Sequence, residues 1–569
     1  MTYRAPMEDY LFIFENIVSF KTLGDEKTFS EVSSDLVYSV LDEASKISNE
    51  VLAPLQRVGD SNPAYLENGV VRTPPGFGEA YKVIAENGWV GMAASSKYGG
   101  LELPQSLMHA INEMMGGACL SLQLNPVMTQ GQIEALENHA SEKIKEIYLP
   151  KLISGEWSGT MNLTESNAGS DVGALKSTAK PNVDGSYSIS GQKIYISWAD
   201  NDFTKNVCHL VLARLPGSPL GTKGISLFLV PKFIPDASGA PGQKNSLSVV
   251  SLEHKLGLHG SPTAVMQYDN AYGVLVGDAN QGMAAMFTMM NNARLGVGGQ
   301  GIAVAEAAYQ KALAFAMERT QGKPLNGGNS IINHADVRRM LAEMKADVFA
   351  ARSIGAACAF AIDMANSNKD EKWIREAAFL TPITKAFGTD VGIHVAQLGI
   401  QVHGGMGFIE ETGASQFLRD VRVTAIYEGT NGIQAMDLVS RKMTDEGEAA
   451  FTKIKEIEDF IMELSSVFKN KTTELKKSLQ ELRSTTEWLL TQPMNDRFSG
   501  AVNYLRFFAR VLGGYYHLKA ASAENEGDFR KKLADVYFAR LLPECQGLST
   551  SIRRGSGDLF SLTNEEFQR

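Results

Sequence analysis

Apolar residues recur at three- and four-residue steps over residues 36–55, the spacing of one buried helical stripe. The charged amphipathic run 141–149 predicts a second helix, one that stops at Pro150. Between residues 158 and 278 the texture changes. Short runs such as S-Y-S-I-S, V-C-H-L-V-L-A-R-L, I-S-L-F-L-V-P, S-L-S-V-V-S-L and A-V-M-Q-Y-D-N, broken by D-G, P-G and G-T, predict strands joined by turns. Helical spacing returns over 283–294, 303–318, 335–364 and 372–398. Beyond Thr444, Phe451, Ile454, Ile457, Ile461, Leu464 and Phe468 fall on one helical face, so this extension is expected to be a helical bundle packed on the rest. The pattern predicts an α+β multidomain chain: a helical domain over 1–157, a β domain over 158–278, a helical bundle over 279–443 and an additional helical domain over 444–569.

A chain of 569 residues exceeds one hydrophobic core, so two or more closely associated domains are expected. No signal-type h-region or apolar run of membrane-spanning length is read, which places the protein without membrane insertion in a bacterial or organellar soluble phase, with the bacterial cytoplasm as the expected setting. A net charge of -10 and a pI near 5.6 argue against a nucleic-acid binder, whose phosphate contacts need a basic field. Cys119, Cys208, Cys358 and Cys545 match no disulfide or zinc spacing and read as buried small apolar side chains. The histidines form no metal-binding pattern, so no metal is expected, and His403 reads as a packed or hydrogen-bonded residue. Gly296, Gly298 and Gly301 satisfy the dinucleotide fingerprint G-x-G-x-x-G, but helical spacing precedes them where that fingerprint needs a strand. They read instead as sites of close helix packing.

Two segments carry candidate chemistry. From Gln401 the chain runs Q-V-H-G-G-M-G-F, then Arg419 and Asp420, then I-Y-E-G-T-N-G-I-Q, ending at Gln434. Glycine lets backbone approach a phosphate or ring where a Cβ would collide, and Glu428 stands in a tight-turn signal just before Gly429, as a lone catalytic base would. The other segment is L-T-E-S-N-A-G-S-D at 163–171, followed by G-Q-K-I-Y-I-S at 191–197. In this order and separation, the two segments resemble the signature patterns of the acyl-CoA dehydrogenase family, and the resemblance covers roughly residues 1–440.

The resemblance implies an FAD-dependent enzyme that oxidises an acyl-CoA thioester between its α and β carbons to the trans-2-enoyl-CoA and passes electrons to electron-transfer flavoprotein. Removing the weakly acidic α proton needs a carboxylate made basic by exclusion of water, and a thioester oxygen hydrogen-bonded against developing charge. Glu428 matches the family's base; Ala293 stands where other branches carry it and cannot accept a proton. Met161, Leu163 and Thr164 match the segment along the isoalloxazine, Thr164 as a hydrogen-bond partner of the ring. Tyr195 and Ser197 match a Trp and a Thr that cover and bond it, tyrosine keeping an aromatic face. Thr178, Tyr187 and Ile189 read as ordinary strand residues. Arg319 matches the arginine that pairs with the cofactor diphosphate, a task suited to its bidentate donors. In the family the counterparts of Arg319, Gln401, Gly404 and Gly405 reach a neighbouring subunit's cofactor, which implies a homodimer or homotetramer with composite sites. Thr430 matches a further cofactor contact, and Gly432 replaces a Gln of many members, leaving only backbone there. Toward the substrate, Ser170 matches a position near the CoA pantetheine or diphosphate, Gly429 adjoins the base, and Asn291, in place of an acidic residue, matches the CoA mouth. Arg294 reads either as a substrate residue beside the base or as a helix-to-helix salt bridge.

The opening M-x-Y-x-A-P-x-x-D-Y-L-F and the helical extension look most like the branch containing 3-methylmercaptopropionyl-CoA dehydrogenase, which acts on a short thioether acyl-CoA. Two alternatives share an extra helical domain: acyl-CoA oxidases, which hand electrons to oxygen, and DNA-associated, alkylation-response flavoproteins. Against the second, residues 444–569 hold 18 Lys and Arg against 19 Asp and Glu, no excess for phosphate.

Overall fold

The apolar runs between Trp157 and Val276 become a seven-stranded sheet in the computed structural model, which describes residues 3–464, 468–524 and 527–569. Strand Ile225–Pro231 is buried along its whole length, whereas Thr263–Val276 mostly alternates between buried and partly exposed positions. Thr263–Val276 pairs with Tyr187–Ser197 and with Ile225–Pro231; Asn206–Arg214 pairs with Ile225–Pro231 and meets Thr178–Pro181, which pairs back to Tyr187–Ser197. Five strands thus close into a ring, leaving few free edges, and Trp157–Asn162 and Leu247–Leu252 extend it. Ile189, Ile196, Val211, Phe228, Val230 and Met266 belong to its core.

By density of contacts the chain forms two units, each discontinuous in sequence. One comprises Glu43–Pro104 and Ala118–Ala293 and contains the sheet; the other comprises Met1–Asp42, Gln105–Gly117 and Arg294–Arg569. The sheet unit also carries a hairpin, Tyr65–Glu67 with Val70–Arg72, whose strands are too short to show an alternation in sequence. Its helix Glu142–Ile153 runs through Pro150 rather than stopping there. The proline gives up one backbone hydrogen bond near the helix end, and burial of Leu149, Leu152 and Ile153 outweighs that loss.

The segments 283–294 and 303–318 are one continuous helix, Gly282–Glu318. Its central glycines do not interrupt it because they receive a neighbour. A Cβ on Gly298 would sit 2.7 Å from the Thr384 carbonyl oxygen, and one on Gly301 would sit 2.4 Å from that of Gly388, both on helix Glu371–His403. Helix Ala335–Asn368 is, by composition, apolar and long enough to cross a membrane, which the sequence reading did not register. Its apolar window is 89% buried within the protein, so it is accounted for as a core helix.

The extension is helical: Glu448–Glu463, Lys469–Thr491, Met494–Ala523, Phe529–Arg540 and Glu544–Ile552. Met494–Ala523 packs on Ala335–Asn368, Glu371–His403 and Asn431–Val439. The expected stripe is cut short, since the first of these helices ends at Glu463, Leu464 is already extended and Phe468 lies beyond it. Ile454 and Ile457 are buried, and much of the packing passes to Tyr504, Phe507 and Phe508 of Met494–Ala523. All four cysteines are free and buried, as expected.

Candidate active site

Glu428 and Gly429 both adopt left-handed backbone, with φ of 55 and 84°. At Gly429 this backbone would strain any side chain, and a Cβ would also press on Gln434 Nε2 at 2.7 Å. Glu428 is held in a conformation that costs a non-glycine residue about 1 kcal/mol or more, so its surroundings must impose it. The Tyr427 hydroxyl donates to Gln300, Gln434 Nε2 donates to the Glu428 carbonyl at 3.2 Å, and the Thr430 hydroxyl caps helix Asn431–Val439 by accepting from the Ile433 N–H at 3.2 Å. The turn signal is therefore a turn in the structure.

Burial pushes the Glu428 carboxyl up to about 7, opposed by the positive charges of Arg294 and Lys385. Arg294, buried on helix Gly282–Glu318, feels the negative charges of Asp437 and Glu428. Lys385 was not picked out from the sequence. A single lysine inside T-P-I-T-K-A-F-G was the available signal. Asn291 and Ser170 are exposed, and Ala293 is a buried methyl group.

In the sheet unit, the two signature segments are tied to each other. Thr164 accepts a backbone hydrogen bond from Ile194 at 3.0 Å. Lys193, fully buried, donates to the Leu163 carbonyl at 2.9 Å and to Glu165 Oε1 at 2.8 Å, while the Glu165 carboxylate also accepts the Lys176 and Ser177 N–H groups at 2.6 and 3.0 Å. Burial pulls the Lys193 amine down to about 8 against the attraction of Glu165. Neither partner of this pair was recognised from sequence, although both lie inside the signature segments. Met161, Leu163 and Thr164 remain partly exposed. Tyr195 is presented by a β-bulge: Ala264 pairs with Ile196 and Met266 with Lys193, so residues 194 and 195 oppose Val265 alone. Tyr195 takes φ 61° and keeps 62% of its surface exposed. Ser197 ends the strand half-buried; next to it, Trp198 is buried and donates to the Ser121 carbonyl at 3.1 Å. Thr178, Tyr187 and Ile189 are strand residues.

Arg319 follows the end of helix Gly282–Glu318 and is exposed, as are Gln401, Gly404 and Gly405 at the end of Glu371–His403. A Cβ on Gly404 or Gly405 would project into open space, so bare backbone faces outward there. His403 is packed as expected: its ring stacks on Phe315 at 4.4 Å, and Nδ1 lies 2.7 Å from the Gly399 carbonyl oxygen. That stacking joins the helix ends carrying Arg319 and Gln401. From Arg294 to Arg319 the continuous helix covers roughly 37 Å at 1.5 Å per residue, so Arg319 stands far from the Glu428 turn within one chain.

Family models match nearly all of this architecture. They are described as the N-terminal domain of acyl-CoA dehydrogenase at residues 42–156, its middle domain at 160–271, its C-terminal domain at 280–443, and an acetyl-CoA dehydrogenase C-terminal-like domain at 453–563. The 3-methylmercaptopropionyl-CoA dehydrogenase of Ruegeria pomeroyi is 40% identical, over 96% of this chain and 97% of its own. A butyryl-CoA dehydrogenase of Syntrophomonas wolfei is 36% identical over 75% of this chain and 73% of its own. Among solved structures, the acyl-CoA dehydrogenase of Bacillus anthracis complexed with FAD shares the fold with a TM-score of 0.76 at 21% identity, covering 93% of this chain and 90% of its own. ACDH-11 of Caenorhabditis elegans, in complex with C11-CoA, has a TM-score of 0.78 at 20% identity, covering 94% of this chain and 91% of its own. The chain belongs to the acyl-CoA dehydrogenase family of oxidoreductases.

Proposed function

We propose that this acyl-CoA dehydrogenase binds FAD, converts a short acyl-CoA to the trans-2-enoyl-CoA with Glu428 as the base, and delivers the electrons to electron-transfer flavoprotein in the cytoplasm. The observation that carries the reading is the Glu428 turn: a left-handed, partly buried glutamate whose carboxyl is pushed up to about 7, with two cations in electrostatic reach. A carboxylate so placed is basic enough to take an α proton and still ionised in a useful fraction at neutral pH. Ala293 offers no competing base.

The residues present fit FAD. The exposed guanidinium of Arg319 and the uncovered backbone of Gly404 and Gly405 suit a diphosphate, while the partly exposed Thr164 and the exposed ring of Tyr195 suit a flat ring with polar edges. When bound, FAD supplies the acceptor for the β-carbon hydride. Met161, Leu163, Thr164, Tyr195 and Ser197 would hold the ring and shield it from water; Thr430 would add a cofactor contact. Arg319, Gln401, Gly404 and Gly405, roughly 37 Å of helix away from Arg294, would serve the cofactor of a second copy, so the active form is an oligomer. Glu428 would hold the abstracted proton on its carboxylate, with Arg294 and Gly429 as its substrate-side neighbours; Asn291 and Ser170, in the sheet unit, are the candidates for contacts to CoA.

The Ruegeria pomeroyi relative supports a short thioether acyl-CoA as substrate. A panel of acyl-CoAs from short to long, including 3-methylmercaptopropionyl-CoA, assayed with a dye acceptor, tests this. The highest kcat/KM is expected for a short or methylthio substrate, with little reoxidation of the reduced protein by oxygen. Glu428→Gln is expected to keep FAD, bind acyl-CoA and lose turnover by several orders of magnitude, since an amide cannot accept the proton. Activity within about tenfold of wild type would place the base elsewhere.

A further inference from the structure

Lys385 lies inside helix Glu371–His403 with no exposed surface, where an ammonium is costly unless hydrogen bonds and charges compensate it. Its Nζ donates to Asn431 Oδ1 at 2.9 Å. Asn431 comes three residues after Glu428 and opens helix Asn431–Val439. Its Nδ2 donates to Asp390 Oδ1 at 2.7 Å, to Thr389 Oγ1 at 2.9 Å and to the Ala386 carbonyl at 3.3 Å, all on the same helix as Lys385. The amide is thereby fixed in one orientation, oxygen toward the lysine and nitrogen toward the aspartate. One side of the Glu428 turn is anchored to that helix.

The charges around this anchor are few. Lys385 is attracted by Glu428 and Asp390 and repelled by Arg294. Glu428 is attracted by Arg294 and Lys385. Asp437 and Arg441 bear on Arg294, and Arg506, Lys385 and Arg422 bear on Asp390. A lysine serving only to fill a structural ion pair would have its own carboxylate in hydrogen-bond contact. Here the direct partner is a neutral amide, and the ammonium's charge is answered by the carboxylate of the reactive turn.

We infer that Lys385 is a positioning residue for the proton-abstracting base: through Asn431 it fixes the turn that carries Glu428, and its ammonium supplies that carboxylate with a positive charge. The inference rests on the assignment of Glu428 as base. Removing the charge makes Glu428 harder to ionise, so the pH at which the base becomes active rises.

Three variants separate anchor from charge. Lys385→Arg keeps both, Lys385→Gln keeps an N–H donor for Asn431 without the charge, and Lys385→Met removes both. FAD-loaded proteins of wild-type melting behaviour are compared by two pH profiles: kcat and KM with a dye acceptor, and incorporation of solvent deuterium at the α carbon of butyryl-CoA. The second readout follows the base alone. For Lys385→Gln the acidic limb of both profiles should move about one unit to higher pH, with KM within about twofold of wild type. Lys385→Met should add about a tenfold loss of kcat at its optimum, and Lys385→Arg should return the limb to its wild-type position. Coincident limbs in Lys385→Gln and wild type would overturn the inference, and that comparison decides even if Lys385→Met does not fold. Glu428→Gln separates the two assignments. If it still exchanges the α proton, the base itself is wrongly assigned; if exchange is lost while the Lys385→Gln profile stays put, only the role of Lys385 falls.

Discussion

At the scale of single residues, opposing forces set the behaviour of Glu428. Burial favours the neutral acid, Arg294 and Lys385 favour the carboxylate, and burial prevails. A carboxyl whose folded-state acidity lies near 7 against an ordinary 4.5 binds its proton more tightly when folded. Its contribution to stability is therefore complete below pH 4.5 and is lost as the pH rises through 7. Glu428→Gln cannot ionise, so it should melt increasingly above wild type from pH 4.5 to 7 and stay above it by a constant margin at higher pH, on the order of 3 kcal/mol. A margin that does not change with pH would show that burial does not burden this carboxylate. The turn itself was legible in sequence, because Gly429 marks it and a glutamate before such a glycine is unusual. Lys385, Lys193 and Glu165 were not, because a lysine among apolar residues carries no sign of the partner that folding brings to it.

At the scale of elements, the contact between helices Gly282–Glu318 and Glu371–His403 depends on backbone meeting backbone. The Gly301 Cα faces the Gly388 carbonyl, and a methyl group on Gly301 would come within 2.4 Å of that oxygen. Alanine is the better helix former by about 1 kcal/mol, yet carbonyl backbone cannot move aside as a side-chain tip can. Gly301→Ala should thus destabilise the protein by about 1–3 kcal/mol in urea titration. Gly547→Ala, on helix Glu544–Ile552 where nothing stands within 4 Å, should instead stabilise by about 0.5–1 kcal/mol. Equal effects at the two positions would refute the packing argument. Periodicity exposed the long helices and the strands because each buries a repeating face. It could not show that one helix continues through four central glycines, that Glu142–Ile153 passes its proline, or that a bulge turns Tyr195 outward, since each depends on a neighbour distant in sequence.

At the scale of the whole molecule, the extension is bound to the helical unit by charge as well as by apolar surface. Arg352, fully buried, contacts Asp9 at 2.9 Å, Glu113 at 2.6 Å and Glu306 at 2.8 Å. Three carboxylates need three cations; Lys345 is the second, 3.2 Å from Asp9, and Arg530 of the extension is the third, 2.7 Å from Asp9. Burial works against the charge of Asp9, and these cations nonetheless hold its carboxyl well below the usual range. Arg510 pairs with Asp347, and Lys519 donates to the Ile17 carbonyl at 2.7 Å, so the extension is tied at several points to the segments it covers. Removing one partner of such a buried set leaves a desolvated charge unbalanced, which costs about 3–5 kcal/mol. Arg530→Met should accordingly lower stability by about that amount in urea titration. Deletion after residue 444 should do worse, because it also bares the apolar faces that Met494–Ala523 covers, and the product should aggregate. With 18 basic against 19 acidic residues, the extension has little attraction for phosphate, and intact protein should show no duplex DNA binding at physiological salt. A truncated protein that stays monodisperse and active, from an intact form that binds DNA in a salt-sensitive way, would reverse this account: the extension would then be a nucleic-acid module rather than a structural part of the enzyme.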